Sequence, residues 1–269
     1  MPDLRIFSYL PNPRIMKATI AARLNGADVE VRGAKPRELS DWLWDFDARP
    51  LGEADRADAS LARPSRTGFD AVLYKTEAFL EAHPFGTVPA AFSPDGTVGI
   101  FESNSILRAV ARIGEARLPL YGDGPYEAAR IDGFLDAALV FARQSQAHLL
   151  SLSGNRCTVE IREETAATLE AFLGGLDRAL HPDREFLVGD GISIADICAV
   201  CEIVQVSRER AHLEKLAALG VAPVYDEDAM TTAFPLAMAH FRRLRRHPAF
   251  AADIDPLMKK LESIAASRT

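Results

Sequence analysis

Glu102-Ser103-Asn104-Ser105 stands where an apolar, strand-like run, "TVGIF", gives way to a helix-like one, "ILRAVARIG". A serine at that junction is suited to cap the helix, and the unpaired N–H groups and positive dipole end of a helix start favour a carboxylate. Ser103 is therefore a candidate anion contact. Upstream, "FGTVPAAF" sets Pro89 inside a run that otherwise reads as a strand. A strand proline lacks the N–H that a sheet needs and belongs at an edge or a special turn. Cys198-x-x-Cys201 has the spacing of a zinc or redox pair, but it lies within the apolar run "ADICAVCEIVQV" with no second His or Cys pair beside it. Core packing is the reading it supports, and with no metal spacing among the remaining histidines no metal is expected.

Leu4 to Tyr9 is apolar and β-prone, "PNPR" breaks the run, and "IMKATIAARLNG" has the apolar spacing of a helix that stops at Gly26. Val29 and Val31 then alternate with Glu30 and Arg32 as in a strand, completing a βαβ unit. Residues 34–73 depart from this pattern: they are dense in Asp, Arg, Ala and Pro, have Trp42, Trp44 and Phe46 as apolar anchors, and read as an elaborated loop. "YKTEAFLEAH" predicts a short helix, "TVPAAFSPDGTVGIFE" a hairpin turning at Pro94-Asp95-Gly96, and "SNSILRAVARIG" a helix ending at Gly114. Beyond a Gly/Pro linker the periodicity is helical throughout, with "SIADICAVCEIVQVSRE" apolar nearly all round, as in a buried central helix. Ser193 and Asp196 have capping-box spacing at its start. The expectation is an α/β domain over 1–114, with an insertion at about 34–73, followed by an all-α domain over 125–269.

Composition narrows the function classes. With 48% hydrophobic residues the chain can build a packed core, and its formal net charge of −7 argues against a general affinity for nucleic acid or anionic membrane. No apolar run approaches a membrane span, the three cysteines are too few for a disulfide framework, and the N-terminal residues lack a leader pattern, so a cytoplasmic protein is expected. The basic run "FRRLRRHPAF" reads as a solvated helix face, with a phosphate-binding patch as the sharper alternative.

The βαβ and ββα halves, joined by "TVPA", resemble the thioredoxin-like domain of the glutathione transferase superfamily, and "FLVGDGISIADICAVCEI" is similar to the signature of its all-α second domain. "NPRIMKATIAARLNGADVEV", "TEAFLEAHPFGTVPAAF", "FESNSI" and "HPAFAA" most resemble the glutathione transferase-like region of the elongation factor 1B gamma subunit and its free-standing relatives. The resemblance implies glutathione as co-substrate. Val88, held by a cis bond to Pro89 and preceded by Thr87, would exchange backbone hydrogen bonds with the tripeptide as an added strand. Ser103 would bind the γ-glutamyl carboxylate and Glu102 the ammonium group. Many relatives carry a lysine where this chain has Thr87.

For activation of the thiol the resemblance points to "FSYLPNPR", where Leu10 occupies the usual position of a hydrogen-bonding residue and can donate nothing. Asn12 is the first choice, followed by Tyr9 and Ser8. His148 is a further candidate for touching substrate, and Trp42 and Trp44 either cover the site or anchor the insertion. The implied activity is conjugation of glutathione thiolate to a small electrophile by a homodimeric detoxifying transferase, with no protein nucleophile. The alternatives are a non-catalytic protein-interaction module and a glutathione-dependent lyase or reductase acting on a glutathione adduct.

Overall fold

The computed structural model describes residues 1–65, 72–114, 118–182 and 184–266, so that 66–71 of the expected insertion and 115–117 of the expected linker lie outside the described residues. The chain divides into two compact units, Met1–Arg117 and Leu118–Thr269.

In the first unit, β1 (Leu4–Tyr9), α1 (Pro13–Asn25) and β2 (Val29–Ala34) form the βαβ unit, with β1 and β2 parallel. Asn12 caps α1, accepting the Arg14 N–H at 3.0 Å, and Gly26 closes the helix in the left-handed region at φ 80°. A two-turn 3-10 helix (Pro36–Asp41) leads into β3 (Trp42–Trp44), β4 (Arg49–Pro50), α2 (Glu53–Ala57), β5 (Ala62–Pro64) and β6 (Val72–Lys75). Then come α3 (Glu77–Ala82), β7 (Ala90–Phe92), β8 (Gly99–Phe101) and α4 (Ser103–Ile113).

Two sheets result, β2-β1-β7-β8 and β4-β3-β6-β5. The second corrects the expectation of a loop at 34–73. Its strands are two to four residues long, too short to show alternation, and Pro50 and Pro64 lie in its outer strands, where a missing N–H is tolerated. Trp44, Leu39 and Leu73 from this region join Phe7, Phe79 and Phe92 in one buried cluster, with Trp44 edge-on to both Phe7 and Phe79. The Trp44 indole donates to the Leu39 carbonyl at 3.0 Å, so the ring is buried with its polar atom satisfied. In the β7–β8 hairpin the Asp95 carboxylate accepts from Ser93 Oγ (2.6 Å) and the Thr97 N–H (3.1 Å), which holds its pKa down at about 2.

The second unit is helical: α5 (Pro125–Ser153), α6 (Val159–Leu180), α7 (Ile194–Val206), α8 (Leu213–Ala218), α9 (Glu227–Ala233), α10 (Pro235–Arg245) and α11 (Pro248–Ala266). Every residue of α7 is buried, Cys198 and Cys201 included. Asp196, fully buried, explains how the core helix begins. Its carboxylate accepts from the Ser193 N–H (2.8 Å), Ser193 Oγ (2.7 Å) and the Leu187 N–H (2.9 Å), and His240 Nε2 lies at 2.8 Å. A buried carboxylate is tolerable only with such partners. Among the described residues no helix is long and apolar enough to cross a membrane.

Candidate functional site

The register of the first sheet brings three distant segments to one end of it. Phe7 pairs with Ala90 across β1–β7, and Ala90 with Phe101 across β7–β8. The residues following Phe7, preceding Ala90 and following Phe101 therefore leave the sheet from the same end, which unites Ser8–Asn12, Thr87–Pro89 and Glu102–Ser103.

The Val88–Pro89 bond is cis. β7 starts at Ala90, so Pro89 lies in a special turn just before the strand, where its missing N–H costs no ladder bond. Val88 is half-buried, and neither its N–H nor its C=O makes a hydrogen bond among the described residues. Such a pair of groups beside a sheet is what an extended peptide can satisfy.

Across the hairpin, the chain leaves β8 through Glu102 at φ 68°, a conformation uncommon and strained for a residue with a Cβ. That turn makes Glu102 the N-cap of α4: its carbonyl accepts the Ile106 N–H at 3.0 Å. Ser103 is thus the first helical residue and not the cap, a correction caused by the turn falling one residue earlier than the serine. The Ser103 hydroxyl is left without a hydrogen bond among the described residues, at a helix start where backbone N–H groups also point outward. Glu102 is exposed and its carboxylate is likewise unpaired. One residue along, Asn104 Oδ1 accepts from the buried Lys17 Nζ at 2.8 Å, which adds a cation to this end of the helix.

At the end of β1, Ser8 is fully buried and Asn12 is 2% exposed. Asn12 Nδ2 donates to Ser8 Oγ at 3.1 Å while its Oδ1 caps α1, so both side chains have structural work; Nδ2 keeps one further N–H. Tyr9 is half-exposed. Gly33, opposite Ser8 in β2, permits this packing, because a Cβ there would lie 1.7 Å from the Ser8 carbonyl oxygen.

Two residues beside the site escaped the sequence reading. Lys75, from the second sheet, donates through Nζ to the Gly86 carbonyl at 2.5 Å and lies 4.5 Å over the Trp44 ring. His83, 1% exposed, stacks on Phe101 and has Nε2 3.4 Å from Thr87 Oγ1. Burial pushes the His83 pKa down, with a smaller push from the Lys75 charge. Both contacts hold the turn that carries Val88. Trp44 anchors the insertion in the core, and this overturns the reading in which it covers the site. His148 is fully buried with Nε2 2.8 Å from Glu209 Oε2, which removes it as a substrate contact. Among the described residues no group of His, Cys, Asp and Glu could hold a metal ion.

Residues 131–248 match the family model described as "Glutathione S-transferase, C-terminal domain". The fold of nearly the whole chain is that of solved glutathione transferases. One, from Phanerochaete chrysosporium, solved with oxidized glutathione, has a TM-score of 0.66 at 14% identity, covering 97% of this chain and 98% of its own. Another, from Bombyx mori, has a TM-score of 0.63 at 18% identity, covering 99% of each chain. The chain is thus similar to the glutathione transferases, in the family match of residues 131–248 and in its fold. Among curated proteins it is similar to "Probable elongation factor 1-gamma 1" of Arabidopsis thaliana, 34% identical over 49% of this chain and 31% of the relative. It is also similar to "Elongation factor 1-gamma" of Mus musculus, 28% identical over 76% of this chain and 39% of the relative. The chain thus spans less than two fifths of the length of these relatives.

Proposed function

We propose that the chain is a member of the glutathione transferase superfamily that binds glutathione at the sheet end formed by Val88 and Ser103 and conjugates the thiolate to a small electrophile. The observation that carries the reading is that the Val88 N–H and C=O and the Ser103 hydroxyl are all without partners among the described residues, in segments leaving the same end of one hairpin. An extended tripeptide laid along Val88 satisfies the backbone pair as an added strand. Its γ-glutamyl carboxylate then meets Ser103 and the start of α4, where Lys17 reinforces the positive field. Its ammonium group pairs with the exposed Glu102 carboxylate. The cysteinyl sulfur falls toward Tyr9, Ser8 and Asn12, where the remaining Asn12 N–H or the Tyr9 hydroxyl stabilises thiolate. The thiol proton leaves to solvent, the sulfur lone pair forms the S–C bond, and the electrophile expels its leaving group or takes up the electron pair. The protein contributes orientation and no covalent nucleophile. A cytoplasmic homodimer is the assembly we propose for this activity.

A second reading, a protein-interaction module, is favoured by the mutual satisfaction of Ser8 and Asn12 inside the fold and by the similarity to elongation factor 1-gamma proteins. Titration calorimetry with glutathione and S-methylglutathione, alongside conjugation of an activated aryl chloride, separates the two. We expect binding that falls roughly tenfold or more in Ser103→Ala, the loss of a hydrogen bond to a charged group. Because Ser103 is not the helix cap, the fold should survive the change. Absence of binding at millimolar glutathione would sink the proposal. Binding without conjugation would transfer support to the interaction module.

A further inference from the structure

The basic run at the end of α10 borders a cavity of about 910 Å3 within the helical unit. Phe186, Ile192 and Leu244 supply an apolar wall, and Arg242, Arg243 and Arg246 a cationic one. We propose that this cavity is a second ligand site, for a small phosphate ester with an apolar body.

The state of the three guanidinium groups supports this. Arg242 donates to Thr231 Oγ1 at 2.6 Å and to the Met238 carbonyl at 3.3 Å. Arg243 donates to the Glu185 carbonyl and lies 4.8 Å over the Phe186 ring. Arg246 is exposed, and its side chain has no partner among the described residues. Among the described residues every polar contact of the three is neutral: they form no ion pair there, and no carboxylate lines the cavity. Arg245, in the same run, contrasts with them because it pairs with Asp255 at 3.3 Å. A negative helix end accounts for one or two cations near it. It does not account for three uncompensated guanidiniums around one apolar hollow in a chain of net charge −7.

Phosphate suits this set better than a carboxylate does. A phosphate monoester carries close to two negative charges and three acceptor oxygens, matching several N–H forks at once. Arg242 and Arg243 are already oriented by their neutral contacts, so they lose little freedom on binding, and Arg246 is left to close on the anion. The apolar wall, with the Phe186 ring already stacked under Arg243, takes an aryl or short alkyl group. His247 borders the same cavity; its Nδ1 accepts the Ala249 N–H at 3.2 Å, so a neutral ring carries its proton on Nε2 and adds a donor.

Phenyl phosphate is the probe, titrated calorimetrically into the full chain, with inorganic phosphate and phenol as comparators. Saturable one-to-one binding is expected, weaker for either comparator by roughly tenfold, which is about 1.4 kcal/mol, and declining as salt is raised. Arg246→Ala should weaken phenyl phosphate binding by a similar factor, whereas Arg245→Ala should leave it unchanged. The exposed Arg246 side chain makes no hydrogen bond or ion pair among the described residues, so its replacement should leave the fold intact. Failure to saturate by about 10 mM, or equal affinity in wild type and Arg246→Ala, overturns the proposal.

Discussion

At the scale of single residues, the site depends on groups that never reach a ligand. His83 is one. In the unfolded chain its ring takes up a proton as pH falls through about 6.5, but in the fold burial and the nearby Lys75 charge depress that uptake to lower pH. The unfolded state then binds more protons, so stability present above about pH 6.5 is lost as pH falls toward the depressed value. His83→Phe retains a ring to stack on Phe101 and deletes the titration. Urea unfolding should show that the variant loses less stability than wild type between about pH 7.5 and pH 5.5. An identical loss in both proteins would locate the acid sensitivity elsewhere. Of the residues that hold the Val88 turn, Thr87 is visible in the motif itself, but Lys75 and His83 are not. Nothing in their local sequence says that β6 and α3 deliver them to Gly86 and Thr87. Similarly, the capping-box spacing reveals Asp196 as a helix start, while the pairing with His240 becomes visible only in the folded unit.

At the scale of elements, legibility follows length. α5, α6 and α7 run over 29, 22 and 13 residues and carry enough turns for their apolar faces to be read. The second sheet has no such signal, since β3 to β6 are short and their pairing joins residues far apart in sequence, as Leu43 with Tyr74. The apolar anchors were visible, and their burial is what makes this insertion part of the domain core. Trp44→Ala removes a fully buried ring from among Phe7, Phe79 and Lys75, and should cost about 3–5 kcal/mol in chemical denaturation of the first unit. Lys75→Met tests a different link. It keeps an unbranched apolar side chain of similar length but removes the ammonium that lies over Trp44 and bonds the Gly86 carbonyl, so glutathione affinity should fall several-fold, with a loss of stability of about 1–2 kcal/mol. A brace that merely filled space would leave affinity unchanged when the methionine fills the same space.

For the whole molecule, the two units divide two proposed ligands between them: the glutathione segments all lie in Met1–Arg117, and the residues lining the arginine cavity all lie in Leu118–Thr269. Each ligand stabilises the native state it binds, and most strongly the backbone it contacts. Hydrogen exchange followed by mass spectrometry can therefore read both at once on the intact chain. Saturating glutathione should slow exchange in peptides covering 86–90 and 102–106, where Val88 gains strand bonds and the α4 start gains a carboxylate. Phenyl phosphate should slow exchange in peptides covering 231–247 and leave the first set unprotected. With both ligands present, the two patterns should superpose. If phenyl phosphate instead protected the Val88 and Ser103 peptides, its anion would be competing for the glutathione carboxylate position, and the arginine cavity would lose its assignment. If glutathione protected neither set, the unpaired groups at the sheet end would have to be explained by a partner protein, as the interaction-module reading requires.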